Sequence, residues 1–487
     1  MKKLRFIALL LVAMLAASAC VSDTGNVGTD SQNPNDGATD ELGLPAELDF
    51  TGETFRLISG DGYMNVPELN QETKDEEHDG TDIIGQAKYK QFLNTAERLG
   101  VDFEFYVASH FDFAATWVYT AVNSWSDEYD AVFTVDTSTR TMAEMGFFKT
   151  VAELPYVNLD NPWWSKDYIE SVSLNPHDPY ILFGSITYNQ AVERISCIFF
   201  NKRLLEEIHG MKDTDIYELV LDGKWTIDKF LELAKGIYID NGNGIRDEHD
   251  VYGFIDGGES LNTMVYSSGL DFTGRDENGF PTLQLNNERS ISLAEKLLSL
   301  SKDVAYYDAT KDNDEGLNFI YSRRFAEGRG LFLPQRFFSS AVNRDMEDDF
   351  GMVPMPKYDE DIEGYRSIAT TYVNWGTVPV TCERVEMTSA VLESLAYEGY
   401  KHVVPAYFEN TLKLRYTRGD LDYESQMLDL IVEGVDTDFI YANSLGGLGN
   451  IFKEIFKEGE NIFASTYDSY AQVAQMKLDK LIEAAGQ

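Results

Sequence analysis

Residues 179–208 read PYILFGSITYNQAVERISCIFFNKRLLEEI, and the fold is decided in this stretch. The apolar runs at 180–186 and 195–200 have the length and pattern of two buried strands. The polar residues 187–190 separate the two runs, and a helix is predicted from Asn201 onward. We therefore interpret residues 187–190 as a hinge, at which the chain leaves one domain and opens a second.

Strand and helix patterns alternate in the part of the chain that precedes this stretch. Apolar runs predict strands at 54–59, 101–107 and 131–135, and helical spacing of apolar residues predicts helices at 82–99 and 113–122. This alternation is typical of parallel βαβ units. Ligands of such sheets bind at the carboxyl ends of the strands.

Polar residues follow these predicted strands at the edge where a ligand is expected. Tyr63 comes shortly after the first strand, and Asp136 and Thr137 come directly after the third. Because the carboxyl ends of parallel strands share one edge of a sheet, we expect these three side chains to line one mouth.

Three later stretches predict how the chain continues between the domains. Residues 325–338 predict a strand that ends in a loop, and 345–356 predict a strand that leaves the second domain. Residues 372–379 predict a strand that rejoins the first domain. The second domain also contains a predicted helix that begins at Thr226, a residue type that favours the helix N-cap.

The amino terminus is predicted to be an export and anchoring signal. Residues 1–19 combine a basic start, an apolar core and small residues before Cys20, which resembles a bacterial lipobox. In this interpretation, Cys20 carries a lipid and becomes the new amino terminus. The alternative is an ordinary signal peptide that is cleaved after Ala19. Residues 20–48 are poor in apolar side chains and predict a flexible tether. The expected location is the extracellular face of the bacterial cytoplasmic membrane.

The net charge of the chain limits the classes of molecule that the protein can bind. The formal net charge is −42, so the surface repels phosphate backbones and nucleic-acid binding is excluded. An anionic ligand is also disfavoured, unless a local basic pocket exists. The sequence contains no Gly-x-Ser-x-Gly, His-Glu-x-x-His or phosphate-loop motif, and its six histidines are scattered. No catalytic or His-rich metal site is predicted from these signals.

A loop rich in Asp, Asn and Gly at residues 240–250 is compatible with structural calcium. When Gly244 is set at the sharp turn of an EF-hand loop, Asn241, Asn243, Asp247 and Asp250 fall at ligand positions. The first ligand position is then occupied by an isoleucine instead of an acid. The alternative is a polar loop without metal, and both alternatives remain open at this stage.

The paired tryptophans Trp163 and Trp164 also allow two interpretations. Their rings could stack on a sugar, or they could anchor a loop under the first domain, and the second interpretation is favoured.

Cys197 and Cys382 could pair outside the cell, or each could be a buried free thiol. Both lie in apolar strand-like runs, and their spacing alone does not decide between these alternatives.

Several motifs occur in the order seen in family 1 extracellular solute-binding proteins, which serve carbohydrate uptake transporters. They are the lipobox, the segment 161–164 (NPWW), the segment 199–202 (FFNK), the Trp225-Thr226 helix start, the Asn/Gly/Asp loop before residues 252–254 (YGF) and the segment 349–359 (DFGMVPMPKYD). The resemblance covers most of the mature chain. It implies a two-lobe α/β fold of the class II periplasmic-binding type, with each lobe a mixed sheet flanked by helices and a hinge between the lobes.

The resemblance also implies a function and a division of the chain. A sugar would lie in the cleft, the lobes would close, and the closed form would dock on a membrane permease. The protein would be a monomer, would not be an enzyme, and would need no cofactor apart from the structural calcium considered above. The division is residues 1–19 for the lipoprotein signal peptide, 20–48 for the tether, 49–188 plus 370–400 for lobe 1, and 189–369 plus 401–487 for lobe 2.

We expect aromatic rings to stack on sugar rings and short polar side chains to bind the hydroxyls. Asp136 would accept hydrogen bonds, and Arg336 would donate them. For each aromatic residue, core packing is the alternative. The predicted ligand contacts are Tyr63, Asp136, Thr137, Tyr188, Asn189, Tyr266, Arg336, Phe337 and Trp375.

Two other classes of function remain open from the sequence. A glycoside hydrolase could be present, because its pair of carboxylates has no short signature and the chain has 82 acidic residues. A surface carbohydrate-binding or adhesion lipoprotein without a transport role is the second alternative.

Overall fold

The structure is a computed structural model that describes residues 42–60, 83–186, 194–312, 320–337, 346–369, 373–408 and 421–485. The chain forms two compact units, Met1–Ala46 and Glu47–Gln487, and the strands and helices given below belong to the second unit. The predicted hinge at residues 187–190 lies outside the described residues.

Fourteen strands occur among the described residues. They are β1 (Thr54–Gly60), β2 (Asp102–Ala108), β3 (Ala131–Val135), β4 (Ser196–Asn201), β5 (Tyr238–Ile239), β6 (Val251–Asp256), β7 (Thr273–Arg275), β8 (Pro281–Leu283), β9 (Tyr306–Asp308), β10 (Gly330–Arg336), β11 (Phe350–Val353), β12 (Ser367–Ile368), β13 (Asn374–Thr377) and β14 (Val435–Asp436).

The α-helices of the described part of the chain flank these strands. They are α1 (Ile83–Leu99), α2 (Phe111–Asn123), α3 (Asp136–Ala143), α4 (Lys166–Val172), α5 (Lys202–His209), α6 (Asp213–Leu221), α7 (Ile227–Ala234), α8 (Ser260–Tyr266), α9 (Glu288–Ser301), α10 (Ile320–Ala326), α11 (Val385–Glu398), α12 (Leu421–Glu433), α13 (Phe439–Asn443), α14 (Ile451–Glu458) and α15 (Phe463–Ala485). None of the described helices is both long and apolar enough to span a bilayer.

The first sheet has the strand order β13-β3-β1-β2. Strands β1, β2 and β3 are parallel, as the alternation of strands and helices predicts. Strand β13 arrives from late in the chain and runs antiparallel to β3, with Asn374 opposite Val135. Every residue of β3 is buried, because this strand has neighbours on both sides.

The second sheet has the order β11-β4-β10-β6-β5, and β9 also pairs with β6. Strand β10 is antiparallel to β4 and parallel to β6, so the sheet is mixed. All six residues of β4 are buried. The helix that follows, α5, begins where the side chain of Asn201 accepts a hydrogen bond from the Leu204 amide and ends at Gly210 with φ 65°.

The two sheets divide the sequence in an interleaved way. Strands β1–β3 and β13 form the first sheet, whereas β4–β6 and β9–β11 form the second. The chain therefore passes between sheets around residues 186–194 and 369–373. Two further pairs of strands, β12 with β14 and β7 with β8, form small separate sheets. The mixed α/β architecture agrees with the predicted fold class. The predicted lobe boundaries stay predictions, because residues 187–193 and 370–372 lie outside the described residues.

Two predicted strands differ from the structure. Residues 180–186 make only isolated bridges, Leu182 with Gly376 and Gly184 with Trp164, because the segment is shared between two partners instead of following one strand. The predicted strand at 325–338 begins late: α10 covers its first residues, a turn follows in which the Gly328 amide donates to the Phe325 carbonyl, and β10 starts only at Gly330.

Candidate ligand-binding site

The carboxyl ends of β6 and β10 meet at one edge of the second sheet, because these strands are neighbours and parallel. Strand β6 ends at Asp256 and β10 ends at Arg336. Strand β4 runs the opposite way, so its first residue, Ser196, lies opposite Arg336 in the ladder. This edge is where a ligand of an α/β sheet is expected.

A pocket of 80 Å³ lies at this edge, and we call it the edge pocket. Its volume corresponds to about two or three water molecules, well below the roughly 300 Å³ of a complete small-molecule site. The edge pocket therefore has the size of a subsite. Its lining residues are Ser196, Gly257, Glu259, Ser260, Thr263, Tyr321, Pro334, Gln335, Arg336 and Tyr441.

The wall of the edge pocket is fixed by the carboxylate of Asp256. One oxygen of Asp256 accepts hydrogen bonds from the amides of Gly258 (2.8 Å) and Ser260 (3.2 Å), and the other accepts one from the hydroxyl of Tyr306. Burial raises the pKa of Asp256, and these donors oppose the rise. A side chain at Gly257 would lie 2.9 Å from the Tyr321 ring, so only glycine fits beside it.

Arg336 is half-buried and supplies the positive charge of the edge pocket. Its backbone amide donates to Oε1 of Gln335 at 2.9 Å. Burial raises the pKa of Tyr321, while Arg336 and Arg194 lower it, so both guanidinium groups act on this tyrosine. Glu259 also lines the pocket, but it forms an ion pair with Lys453.

Asp136 and Thr137, predicted as ligand contacts, start helix α3 at the carboxyl end of β3. Asp136 is 2% exposed, and its amide donates to the Val373 carbonyl at 2.9 Å. Thr137 is half-buried. The two residues therefore lie at the carboxyl edge of the first sheet, as predicted, with Thr137 the more accessible of the pair.

Helix α13 connects the first-sheet elements with the edge pocket. Arg140 of α3 donates to the Ala442 carbonyl, and Nδ2 of Asn443 donates to the Val172 carbonyl of α4 at 3.1 Å. On the same helix, Tyr441 lines the edge pocket and packs against Tyr266, with ring centroids 4.4 Å apart. A single short helix thus contacts helices of the first sheet and forms a wall of the second-sheet pocket.

Three predicted ligand contacts are core residues in the structure. Tyr266, Phe337 and Trp375 are each 0% exposed. The hydroxyl of Tyr266 donates to the Gly449 carbonyl at 3.0 Å, and the indole of Trp375 donates to the Tyr168 hydroxyl at 3.2 Å. The polar atoms of these two rings are thus satisfied inside the protein. We assign all three a packing role instead of a contact with ligand.

Four predicted functional residues lie outside the described part of the chain. They are the ligand contacts Tyr63, Tyr188 and Asn189 and the lipidation site Cys20.

The predicted calcium loop is held by its own hydrogen bonds. The carboxylate of Asp250 accepts from the amides of Asn241 (3.0 Å) and Asp247 (3.1 Å) and from the hydroxyl of Tyr238 (2.9 Å). Asn243 accepts from the Ile245 amide and donates to Asp247. A calcium ion needs six to eight oxygen ligands, and here these oxygens are occupied by N–H and O–H donors. This arrangement favours the polar-loop alternative, and calcium binding stays a prediction.

The paired tryptophans are anchored to a buried carboxylate. The indole N–H groups of Trp163 and Trp164 donate to the two oxygens of Glu393 at 2.9 and 2.7 Å, and Asn161 donates at 2.6 Å. Both rings are buried. The structure therefore gives them the anchoring role that the sequence favoured.

Cys197 and Cys382 are both buried free thiols. Burial raises the pKa of Cys382 to about 11, so this thiol stays protonated at neutral pH.

Sequence reasoning missed several residues of the edge pocket. Ser196 and Gln335 could have been found, because they occupy strand ends beside the predicted Arg336. Tyr441 could not, because it lies more than a hundred residues from the pocket strands and no local pattern distinguishes it.

Solved structures of binding proteins align with most of the chain. A cyclo/maltodextrin-binding protein complexed with maltotetraose aligns with a TM-score of 0.54 and 11% identity, over 88% of this chain and 99% of that chain. UgpB from Mycobacterium tuberculosis, in complex with glycerophosphocholine, aligns with a TM-score of 0.52 and 14% identity, over 82% of this chain and 96% of that one. The maltose/maltodextrin-binding domain MalE from Bdellovibrio bacteriovorus, bound to maltotriose, aligns with a TM-score of 0.50 and 13% identity, over 88% and 100%.

No family model and no curated protein matches this chain in sequence. The comparison therefore depends on structural similarity, which at these low sequence identities shows the fold. The resemblance found in the motifs is confirmed at that level: the chain has the mixed α/β fold of these solved binding proteins.

Proposed function

We propose that this chain is a non-enzymatic solute-binding protein that captures a carbohydrate, an oligosaccharide, between two lobes and delivers it to an ABC importer. The fold likeness supports this proposal, because it extends over nearly the whole length of proteins solved with maltotetraose and maltotriose. Fold alone does not define function, so the proposal also depends on the site.

The edge pocket is the observation that carries the proposal. Hydroxyl, amide and guanidinium groups from separate elements converge at the carboxyl edge of the second sheet. Helix α13 joins this pocket to α3, the helix that Asp136 and Thr137 begin at the edge of the first sheet. A ligand that contacts both edges stabilises the closed form, since it binds that form better than the open one. Buried sugar hydroxyls need hydrogen-bond partners, and these convergent polar groups supply them.

The carboxylates of the site bear on the alternative of a glycoside hydrolase. Such an enzyme uses two carboxylates that flank the scissile bond. Among the described residues that line the edge pocket, Glu259 is the only acidic one, and its partner Lys453 holds it in an ion pair. This arrangement supports binding without hydrolysis.

The proposal includes an anchored, extracellular location. The signal-like residues 1–19 and Cys20 support a lipid anchor on the outer face of the cytoplasmic membrane. In a bacterial host, we expect the variant Cys20→Ser to lose its lipid label and to leave the membrane fraction. Retention of the label by this variant would contradict the anchor. The remaining partners are the permease subunits, and we propose that the binding protein is a monomer.

The binding function is tested with a panel of glycans. Ligands that bind only the native state raise the melting temperature as their concentration increases. We expect at least one oligosaccharide of the panel to do so and to be recovered intact. Release of new reducing ends by the purified protein would instead support the hydrolase.

A further inference from the structure

The edge pocket is a positive site in a strongly acidic protein. With a formal net charge of −42, the surface as a whole repels anions. Arg336 lines the pocket, and Arg194 acts with it on the same tyrosine, Tyr321. A local positive site of this kind is the condition under which an anionic ligand can bind such a chain.

The guanidinium of Arg336 has no hydrogen-bond or ion-pair partner among the described residues. Other arginines that are not fully exposed have partners: Arg56 and Arg384 pair with Asp130, and Arg366 pairs with Asp436. Arg275 and Arg140 instead donate to backbone carbonyls. Since a half-buried guanidinium that lacks a partner loses hydration without compensation, Arg336 is suited to bind a ligand.

The carboxylates nearest to the edge pocket are committed elsewhere. Glu259 is paired with Lys453. Asp256 accepts from two backbone amides and from Tyr306. Neither group is available to neutralise Arg336, so its charge can act on a ligand.

A second donor lies beside Arg336. Ser196 is 1% exposed, lines the edge pocket and pairs with Arg336 in the β4–β10 ladder. Its hydroxyl has no hydrogen-bond partner among the described residues. A buried hydroxyl without a hydrogen-bond partner costs free energy unless a bound ligand supplies that partner. Arg336 and Ser196 together present donors to one acceptor-rich group.

We infer that the ligand of the proposed site carries an anionic group, a carboxylate or a phosphate, which Arg336 binds with help from Ser196. The inference rests on the proposed function and narrows the ligand to acidic carbohydrates or their phosphorylated counterparts. The planar guanidinium can bind either anion through two parallel hydrogen bonds. The pocket is small, so it holds the anionic group while the sugar lies outside it.

The test is a calorimetric titration of the mature protein with three probes. Trigalacturonate supplies carboxylates, glucose 6-phosphate supplies a phosphate, and maltotriose is the neutral trisaccharide. We expect one of the two anionic probes to bind at least tenfold more tightly than maltotriose. Which anionic probe binds identifies the source of the charge. The affinity for that probe should fall as salt is added.

Variants assign the effect to Arg336. Because Arg336→Ala removes a charge-assisted hydrogen-bonded pair, the affinity for the anionic probe should fall by about thirtyfold. The affinity for maltotriose should stay within about threefold of its original value. Arg336→Lys keeps the charge and should retain part of the affinity. The matched control is Arg289→Ala, which removes an exposed arginine that pairs with Asp359. This variant should not change the affinity for either probe. Melting temperatures of all variants show that each is folded.

Tighter binding of maltotriose than of both anions, or an equal loss for all probes in Arg336→Ala, would overturn the inference and leave the proposed function in place. Binding of none of the three probes would also overturn the inference, whereas the proposed function is contradicted only when no glycan of the wider panel raises the melting temperature.

Discussion

Glu393 shows how one residue can decide the role of a motif. Its carboxylate accepts hydrogen bonds from the indoles of Trp163 and Trp164, from the side chain of Asn161 and from the amide of Asn158. Four donors fill the lone pairs of a carboxylate, and replacement by an amide would set an N–H group against some of them. The tryptophan pair is thus held by helix α11, far along the chain.

We expect Glu393→Gln to lower the free energy of unfolding by about 2 kcal/mol, because at least one buried indole N–H loses its acceptor. Thermal or urea unfolding measures the change. Glu386→Gln is the matched control on the same helix. Among the described residues, the Glu386 carboxylate accepts only from the Tyr156 hydroxyl at 3.0 Å, so this variant should change stability little. Equal stability of the two variants would show that the network does not hold the loop.

Core aromatics limited the prediction of the site at the residue scale. Tyr266, Phe337 and Trp375 have the residue types of sugar-stacking side chains, but each ring is fully buried. Sequence identifies an aromatic ring, whereas burial depends on elements that pack on it from elsewhere, as Tyr441 packs on Tyr266. Arg336 could be predicted from the sequence, because it is a charged residue at the end of an apolar strand. A charge in that position indicates that the end of the strand faces a site.

At the scale of secondary-structure elements, the β7–β8 hairpin binds the C-terminal end of helix α4 through hydrogen bonds. The guanidinium of Arg275 donates to the carbonyls of Glu170 (2.7 Å), Ser171 (3.1 Å) and Ser173 (2.8 Å). The final carbonyls of a helix have no partner within it, so Arg275 caps α4. Because α4 also contacts the first sheet through Tyr168 and Trp375, the hairpin is connected to the first sheet through α4.

Removal of this cap should loosen α4. We expect Arg275→Ala to destabilise the protein by about 2 kcal/mol and to increase amide exchange selectively in residues 170–174. Hydrogen-exchange mass spectrometry measures the local effect. Arg323→Ala is the control, because Arg323 is exposed and its one ion pair among the described residues is with Glu327, four residues away. Unchanged exchange at 170–174 would argue against this cap.

The polar loop at residues 240–250 gives a test with a chelator. Because its side-chain oxygens already accept hydrogen bonds from the loop, we expect the melting temperature to stay the same when EDTA is added. A fall in melting temperature that added Ca²⁺ reverses, but Mg²⁺ does not, would confirm the calcium prediction.

Elements with strong local signals were predictable. Helix α5, with its Asn201 cap and Gly210 stop, and the buried run of β3 lie where the sequence places them. Residues 180–186 failed as a strand because an apolar run does not show how many partners share it, and here two segments do. Pairing between distant segments, such as β13 with β3, was expected only as a return to the first domain.

At the scale of the whole molecule, buried carboxylates tie stability to pH. Burial raises the pKa of Asp256, Glu393, Glu424, Asp436 and Asp438. Between the ordinary and the raised pKa values, the folded state binds more protons than the unfolded state, so stability is lost as pH rises through this window.

We therefore expect the melting temperature to rise when pH is lowered from neutral to about 5. At still lower pH it should fall, because the pKa values of Glu327 and Asp348 are lowered by arginine partners and their contribution is lost on protonation. Scans repeated at high salt separate these buried groups from general repulsion among surface charges. A melting temperature that declines steadily from neutral pH would contradict this account.

We propose that two lobes of this protein close on a carbohydrate ligand. The most direct test of this proposal is small-angle X-ray scattering from the mature protein, free and saturated with whichever panel glycan binds most tightly. We expect a smaller radius of gyration for the saturated protein, because a ligand that touches both lobes favours the closed form. An identical radius of gyration for the free and the fully bound protein would contradict it.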